Sequence, residues 1–254
     1  MKKSIQFLLV FLVCSLPTLA GASQITIFDN QKNDSSNTWY NHTGEDQEVE
    51  PGAVYNQLWD LEGMFFDGRN LSIVGGWDFI NKTDNIGSGD IFISTLGNVI
   101  YGESAQPNNF LNYYGYNYVF DVNWDNFNTS TGEGAYTLWK IDKDTKVTLG
   151  TGLKTSNPVA YQANNNNGFL VETGTFRYES GLTDAATGFL GGNHYKVSGF
   201  DLSNILGPDG SFTAHFTQEC GNDSIMGQVP EPATMVLLGM GLLGIGAIGR
   251  KLPL

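Results

Sequence analysis

The chain has 254 residues, of which 41% are hydrophobic and 15% are charged, and its formal net charge is −13. An acidic surface repels phosphate backbones and anionic lipid, so we exclude nucleic-acid binding. The length suits one large all-β domain or two small ones.

The N-terminus predicts a secretory signal peptide over residues 1–22. Lys2 and Lys3 precede an apolar stretch from Ile5 to Leu16, and Ala20 and Ala22 are the small residues that signal peptidase needs. We expect cleavage after Ala22. The alternative is an uncut anchor, but the apolar stretch is short for a membrane span.

Cysteine content excludes an internal disulfide in the exported protein. Cys14 lies in the predicted signal peptide, so Cys220 is the only cysteine that remains. We expect a buried apolar thiol at Cys220, with pairing to another chain as the alternative. Removing the two apolar ends takes away four basic residues and one acidic residue, so the charge of the middle becomes about −16.

Residues 23–227 predict an all-β domain. Period-two alternation is common there, and Gly, Asn, Asp and Thr separate the alternating segments. The predicted strands are 24–30, 70–79, 89–95, 114–125, 135–150, 167–180, 194–203 and 210–219, the fifth being two short strands joined at 142–144. Short antiparallel strands of this kind stack with aromatic inner faces. We therefore expect an antiparallel two-sheet sandwich, jelly-roll-like.

The stretch 114–125 gives the clearest alternation. One face collects large side chains: Tyr114, Tyr116, Tyr118, Phe120, Val122 and Trp124. The opposite face is mostly polar, with Val119 the exception. The stretch 56–68 is less regular and could hold one short helical turn.

Near the end of the predicted domain, three residues have the side chains of a zinc ligand set. They are His215, Cys220 and Asp223, but a zinc site needs three or four ligands in a tetrahedral arrangement. Phe212, Ala214 and Phe216 should face inward, so His215 should point outward. A strand that ends in an Asn-Asp turn is the stronger interpretation, and catalysis by the Cys220–His215 pair is disfavoured by their spacing along a strand.

Acidic residues give two further hypotheses. Glycosidases need a pair of carboxylates, but spacing isolates no pair among Glu62, Asp67, Asp121 and Asp125, so we interpret them as solvated. The loop that holds Asp84 and Asp90 offers oxygen ligands for calcium, although it lacks the regular acid spacing of an EF-hand. We therefore predict no cofactor, with a calcium ion in this loop as the alternative.

Aromatic residues could stack on sugar rings or fill the core. The candidates are Trp39, Tyr40, Trp59, Trp77, Tyr113, Trp124 and Trp139. Most should fill the sandwich core. Tyr113 and Tyr114 are adjacent, so one of them must face away from it.

The C-terminal tail predicts a membrane helix. Residues 233–249 lack charge, and a helix through them would span about 25 Å, slightly short of a bilayer core of about 30 Å. Arg250 and Lys251 follow as a basic membrane stop. Glycines 239, 241 and 244 match the spacing of a dinucleotide-binding loop, but the ten residues after Gly244 leave no room for the second strand of a βαβ unit.

Residues 228–254 resemble the PEP-CTERM sorting signal of Gram-negative bacteria, which is also labelled an ice-binding-protein C-terminal domain. The resemblance rests on Pro230-Glu231-Pro232, the glycine-rich apolar run and the basic end. It implies recognition by an exosortase, a membrane protease-transpeptidase that cleaves near the tripeptide. It also implies exopolysaccharide-producing, biofilm-forming bacteria. No regular Thr-x-Thr array supports ice binding.

A second resemblance covers Phe212 to Asp223. Its His-x-Thr-x-x-Cys-Gly-Asn-Asp pattern is similar to the ending of some PEP-CTERM β-proteins, and no activity comes with it. Together these patterns predict an exported, non-enzymatic surface or matrix protein, structural or adhesive and associated with exopolysaccharide. The alternative is a secreted carbohydrate-active hydrolase on a jelly-roll scaffold.

Overall fold

The computed structural model describes residues 22–29, 54, 56–97, 99, 110–150, 156–165 and 167–230. Strands make up 51% of the structure and helices 6%. The strands are β1 Ser23–Gln24, β2 Thr26–Asp29, β3 Leu61–Phe66, β4 Asn70–Gly75, β5 Ile91–Ser94, β6 Tyr118–Asn128, β7 Glu133–Lys140, β8 Val147–Thr148, β9 Ala160–Tyr161, β10 Phe169–Leu182, β11 His194–Asp201, β12 Phe212–Thr217 and β13 Ser224–Val229. One four-residue helix, α1 Asp184–Thr187, lies between β10 and β11.

The antiparallel all-β prediction is confirmed, but the strands form one large sheet and not two separately hydrogen-bonded sheets. Eleven described strands pair in the order β1-β3-β4-β11-β10-β7-β6-β5-β12-β13-β2, while β8 and β9 make a small separate ribbon. All the described strand pairs are antiparallel. Short turns between successive strands permit this arrangement.

The N-terminal segment joins the two ends of the large sheet. β1 pairs with β3 and β2 pairs with β13, and only Ile25 separates β1 from β2. The Ile25 N–H donates to the Met64 carbonyl at 2.8 Å, and the Ile25 carbonyl accepts from the Gln228 N–H at 2.8 Å. The sheet therefore curls until it nearly closes on itself.

The curled sheet encloses an apolar inner cluster. Alternating side chains of β6, β10, β11 and β12 supply much of it, as the period-two pattern predicts. Phe200 lies at its centre, with ring centroids 5.5 Å from Phe120, 5.5 Å from Phe176 and 5.6 Å from Tyr136. Gly134 and Gly174 lie beneath Phe176 and Tyr136, where a Cβ would come within 2.4 Å and 2.3 Å of those rings.

A second cluster covers part of the sheet's outer face. It contains Phe92, Tyr114, Tyr116, Val119, Ile141, Val147, Tyr161 and Met226. Its outer side chains come largely from the segments before β6 and after β7, which fold back over β5, β6, β12 and β13. The prediction that 114–125 forms one strand is therefore wrong at its start, because the strand begins at Tyr118. Gly115 has a φ of +92° and turns the chain, so Tyr114 and Tyr116 join the outer cluster instead of the inner one.

Three described strands were not predicted: β3, β13 and the two-residue β9. Residues 61–64 and 224–227 are buried without interruption, so neither β3 nor β13 shows a polar face in its sequence. The short helical turn expected nearby is confirmed as a 3₁₀ turn at Gln57–Trp59. Asn56 caps it by accepting the Leu58 N–H at 2.9 Å.

Within the described part of the chain, no helix has the length and apolar character to cross a membrane. The predicted membrane helix 233–249 and residues 1–21 of the predicted signal peptide lie outside the described residues.

Candidate functional site

The last described strand runs directly into the predicted sorting tripeptide. β13 pairs with β12 up to Val229, which lies opposite Phe212, and Pro230 follows at once and is exposed. At the other end, Ala22 is exposed and Ser23 begins β1. The other predicted processing and membrane-stop residues lie outside the described residues: Ala20, Glu231, Pro232, Arg250 and Lys251.

The two predicted processing points, after Ala22 and near Pro230, lie at the same end of the sheet along the direction of its strands. Because β2 is antiparallel to β13, its first residue, Thr26, lies opposite Gly227 near the end of β13. Ser23 lies opposite Phe66, whose ring centroid is 5.1 Å from that of Phe212. The fold thus brings the residue after the signal peptide close to the residue before the tripeptide.

One acidic and two aromatic side chains, Asp121, Trp139 and Tyr161, form a small group at the edge of the outer cluster. The Trp139 indole N–H donates to Asp121 Oδ2 at 3.2 Å, and the Trp139 and Tyr161 ring centroids are 5.6 Å apart. Asp121 and Trp139 are half-buried and Tyr161 is buried. Burial raises the pKa of Asp121, with the Trp139 hydrogen bond opposing the shift. This cluster combines an amphipathic ring with a carboxylate, the two groups that contact sugars.

Asp90 lies beneath this cluster and joins two elements. Its Oδ1 accepts the Val122 N–H at 2.9 Å and its Oδ2 accepts the Tyr161 N–H at 2.8 Å. Burial, increased by the Asp121 charge, raises the pKa of Asp90 to about 8 despite these two bonds. Asp84 lies in a tight turn with a φ of +51°. Both Asp90 carboxylate oxygens, which were proposed as calcium ligands, therefore accept hydrogen bonds from backbone amides.

The Cys-Gly-Asn-Asp stretch forms the β12–β13 turn, as the strand-ending interpretation predicts. Asp223 Oδ2 accepts the Leu61 N–H at 2.6 Å, and its Oδ1 accepts the Ser224 N–H at 2.7 Å. The Asn222 side chain bonds the Val54 backbone twice, at 2.8 Å each. Gly221 has a φ of +72° and its carbonyl accepts from Ser156. The motif therefore ties the hairpin to three other segments.

His215 does not point into solvent as expected, because the outer cluster covers that face of β12. Its side chain is buried, its Nε2 donates to the Pro158 carbonyl at 2.9 Å, and its ring stacks on Tyr116 at 5.8 Å. Burial lowers the pKa of His215 to about 4. Cys220 is half-buried and contacts the inner cluster, and burial raises the pKa of its thiol. Among the described residues no group of three or more His, Cys, Asp or Glu side chains could hold a metal ion.

A carboxylate–histidine–carboxylate arrangement, in which Glu62 and His194 are buried and Asp184 is partly exposed, was missed by sequence reasoning. His194 Nδ1 lies 2.7 Å from Glu62 Oε2, and its Nε2 lies 3.0 Å from Asp184 Oδ1. Gln57 also donates to Glu62, and the bond from His194 lowers the pKa of Asp184. Since a carboxylate faces each ring nitrogen, His194 fastens α1 to β3. Glu62 is 132 residues from His194 in sequence, so no spacing could have revealed the set.

The other sequence candidates are structural or exposed. Trp59 and Trp77 are buried in the inner cluster with ring centroids 5.2 Å apart, and Trp124 packs beside them. Tyr113 is exposed while Tyr114 is buried, so the adjacent pair divides as expected. The remaining acidic residues have local roles. Asp67 accepts hydrogen bonds from backbone N–H groups of its own turn, and Asp125 pairs with Lys82 at 3.2 Å. Trp39 and Tyr40 lie outside the described residues.

Comparison with known proteins identifies the C-terminal segment. A family model described as a PEP-CTERM protein-sorting motif matches residues 228–251. The chain carries a PEP-CTERM sorting motif. No curated protein and no solved structure matches the chain.

The PEP-CTERM motif marks an exported protein that is sorted by an exosortase at the membrane. Its first two residues, Gln228 and Val229, belong to β13. The sorting motif and the folded domain therefore overlap at the last two residues of β13. The resemblance to PEP-CTERM signals that was based on Pro230-Glu231-Pro232 is confirmed.

Proposed function

We propose that the chain is an exported, non-enzymatic protein of the cell surface or extracellular matrix that contacts exopolysaccharide. Its scaffold is a jelly-roll-like sandwich, in which opposite walls of the curled sheet act as the two layers. The sorting motif supplies the route to the surface. The observation that carries the glycan-binding role is the Asp121–Trp139–Tyr161 cluster on the outer face.

The chemistry of this cluster suits a polysaccharide. A sugar ring presents an apolar face to an aromatic side chain and hydroxyl groups to a carboxylate, and half-exposed Trp139 and Asp121 offer these two contacts side by side. The strongly acidic remainder of the domain would disfavour anionic polymers. We therefore propose a neutral or cationic polysaccharide as the partner.

The binding test uses the protein released at the cell surface and a glycan array. Wild type should bind at least one neutral or amino-sugar polysaccharide, and Asp121→Asn should weaken that binding about tenfold or more. Asp125→Asn is the matched control, because Asp125 is an exposed acid on the same strand that pairs only with Lys82 among the described ion pairs. Equal binding by all three proteins would remove Asp121 from the proposed site, and no binding would remove the glycan role.

A carbohydrate-active hydrolase is the second candidate, and one observation favours it. Asp90 and Asp121 are close enough for the Asp121 charge to raise the pKa of Asp90, and acid–carboxylate pairs of this kind hydrolyse glycosides. The two backbone bonds to Asp90 favour a structural role instead. A hydrolysis screen decides between them: activity lost in Asp121→Asn would support the enzyme.

The sorting role has its own test in the native host. Replacing Pro230, Glu231 and Pro232 with alanine should leave the protein uncut in the membrane, and normal processing of this variant would contradict the sorting role. N-terminal sequencing of the exported form should begin at Ser23. Recovery of Met1 or Lys2 would contradict signal cleavage.

A further inference from the structure

The register of the large sheet places two rows of side chains beside each other on its outer face. Asp121 lies opposite Thr137, and Thr137 lies opposite Thr173, so these three residues form a polar row across β6, β7 and β10. Trp139 lies opposite Leu170, which forms an apolar row across β7 and β10. Directly opposite residues of antiparallel strands point to the same face, and so do residues two apart on one strand.

Both rows become more exposed toward β10. Thr137 and Trp139 are half-buried, whereas Thr173 is exposed and the side chain of Leu170 is 59% exposed. An exposed leucine that continues the line of an aromatic ring adds apolar surface on which a ligand can pack. The Asp121–Trp139–Tyr161 cluster is therefore one end of a larger surface.

Trp139 is held in place at that end. Its indole N–H donates to Asp121, and the Tyr161 ring lies against it with centroids 5.6 Å apart. The Tyr161 hydroxyl reaches Gly168, where a Cβ would come within 2.5 Å of it. Glycine at this position therefore leaves room for the ring that supports Trp139. A side chain that is already fixed loses little freedom when a ligand binds.

The two rows favour a ligand that crosses the strands. Along β7 the outer face changes from Trp139 to Thr137, Ala135 and Glu133, which pairs with Arg177 at 3.5 Å. Across the strands the chemistry stays constant within each row. A polysaccharide presents ring faces and hydroxyl edges side by side along its length, so it matches an apolar row that runs beside a polar one.

The charges around the rows favour a neutral ligand. The acids and bases farther along this face form ion pairs, Glu133 with Arg177 at 3.5 Å and Glu179 with Lys196 at 3.4 Å. Within the two rows Asp121 is the only ionisable residue. A polymer with a repeating charge would therefore find one carboxylate and then only hydroxyl groups, whereas a neutral polymer can bond each of them.

We propose that the two rows form a linear binding site on which a neutral polysaccharide chain lies across β6, β7 and β10. Leu170 packs against a sugar ring beyond the one at Trp139, and the Thr173 hydroxyl bonds its edge. The inference rests on the proposed glycan binding and extends it from one contact to a chain. Two strand spacings separate β6 from β10, about 10 Å, which exceeds the width of a single sugar ring.

The first test measures affinity against chain length with the protein released at the cell surface. The probes are glucan, mannan and galactan sugars from the methyl monosaccharide to the tetrasaccharide, and NMR titration measures their binding. In at least one series the affinity should rise about tenfold or more, because Leu170 and Thr173 add an apolar contact and a hydrogen bond.

The other outcomes of this test contradict the inference in distinguishable ways. Affinity that does not change with length would overturn the linear site and leave the contact at Asp121 and Trp139. Binding only of charged or amino-sugar polymers would overturn the neutral ligand while leaving glycan binding intact. Binding of no polymer on the glycan array would overturn the proposed glycan role and the inference with it.

The second test removes the β10 contacts. Leu170→Ala and Thr173→Val should each weaken tetrasaccharide binding about fivefold, while binding of the monosaccharide at Trp139 changes less than about twofold. Both side chains are exposed, so the variants should fold, and thermal unfolding checks this. If Asp121→Asn weakens binding but these two variants do not, the linear site is wrong and the glycan contact stands.

Each variant has a matched control on the same strand. Phe169→Ala also removes an exposed apolar side chain, 76% exposed, but Phe169 lies opposite Lys140 and points to the other face. Thr175→Val removes an exposed hydroxyl on the same face, opposite Ala135 and outside the polar row. Both controls should bind like wild type. A loss in Phe169→Ala equal to that in Leu170→Ala would overturn the assignment of Leu170.

Salt dependence tests the neutral character of the ligand without any variant. Raising the salt concentration should change tetrasaccharide affinity less than about twofold, because screening acts on charge pairs and not on hydrogen bonds or apolar contacts. A loss of about tenfold or more would show that charge attraction to the acidic domain carries the binding. That result would overturn the inference.

Discussion

The two faces of the large sheet are buried in different ways. The inner face is covered by the sheet itself, and the rings of Phe120, Phe176 and Phe200 meet at the centre of its cluster. The outer cluster is covered by connecting segments and the small β8–β9 ribbon. It also contains buried polar groups: His215, Asp90, Ser156 and Asn112.

This difference follows from what covers each face. Strands satisfy their own backbone groups, so the inner cluster needs polar side chains only where loops cover it, as where Ser88 accepts from Trp77 and Gln218 donates to the Trp59 carbonyl. Connecting segments leave backbone amides and carbonyls unpaired, and buried side chains must pair with them. Asp90 accepts from Tyr161 and His215 donates to Pro158 for this reason. The stability of the outer cluster therefore depends on the protonation states of its buried polar groups, whereas the stability of the inner cluster depends on packing.

The largest expected effect compares the two clusters directly. Phe200→Ala should lower the free energy of unfolding by about 4 kcal/mol, because the rigid sheet around it cannot collapse into the cavity. Phe92→Ala in the outer cluster should cost about 3 kcal/mol, since connecting segments can relax. Urea denaturation of the mature protein measures both. A larger loss at Phe92 would reverse the proposed order of rigidity.

The next effect tests the turn between β12 and β13. Asp223→Ala should lower the free energy of unfolding by about 3 kcal/mol, because the buried Leu61 and Ser224 N–H groups lose their acceptor. Asp223→Asn keeps one acceptor oxygen and should lose about half as much. Thermal and urea unfolding that place both variants within error of wild type would show that the motif is not a structural tie.

The outer cluster should make stability depend on pH between about pH 4 and pH 8. Folding lowers the pKa of His215 from 6.5 to about 4, so the unfolded chain binds a proton first and stability falls as the pH drops through this window. Between pH 6.5 and pH 5 the loss should reach about 2 kcal/mol. Asp90 contributes with the opposite sign, because its raised pKa makes stability fall as the pH rises from about 4 to about 8.

His215→Gln isolates the histidine contribution. Glutamine can still donate to Pro158 but does not titrate, and the Asp90 contribution is common to both proteins. Lowering the pH from 6.5 to 5 should therefore reduce the unfolding free energy of wild type by about 2 kcal/mol more than that of the variant. A difference independent of pH would mean that His215 is solvated.

The smallest effect concerns the proposed glycan contact. Trp139→Phe keeps a ring beside Tyr161 but removes the donor to Asp121, so stability should fall by about 1 kcal/mol. The pKa of Asp121 should rise further, because that hydrogen bond opposes the shift. NMR titration of the Asp121 carboxyl carbon measures it. An unchanged pKa would show that the indole bond is absent in solution.

Sequence reasoning succeeded where a signal repeats along the chain or is local. Alternation placed Phe120, Val122 and Trp124 toward one face, and the PEP tripeptide revealed the sorting motif without any structure. It failed for β3 and β13, whose two buried faces remove the alternation. It also failed for the contact between Glu62 and His194, because only long-range strand pairing brings these two residues together.

The amino-acid sequence by itself determined the β character, the route of export and the chemistry of the two ends, since each depends on neighbouring residues along the chain. Only the tertiary structure decided that both sides of β12 are buried, which acids have a shifted pKa and where the two ends meet. Burial and desolvation depend on what packs against a residue. For His215, Asp90 and Ile25 that covering comes from segments more than 30 residues away in the chain.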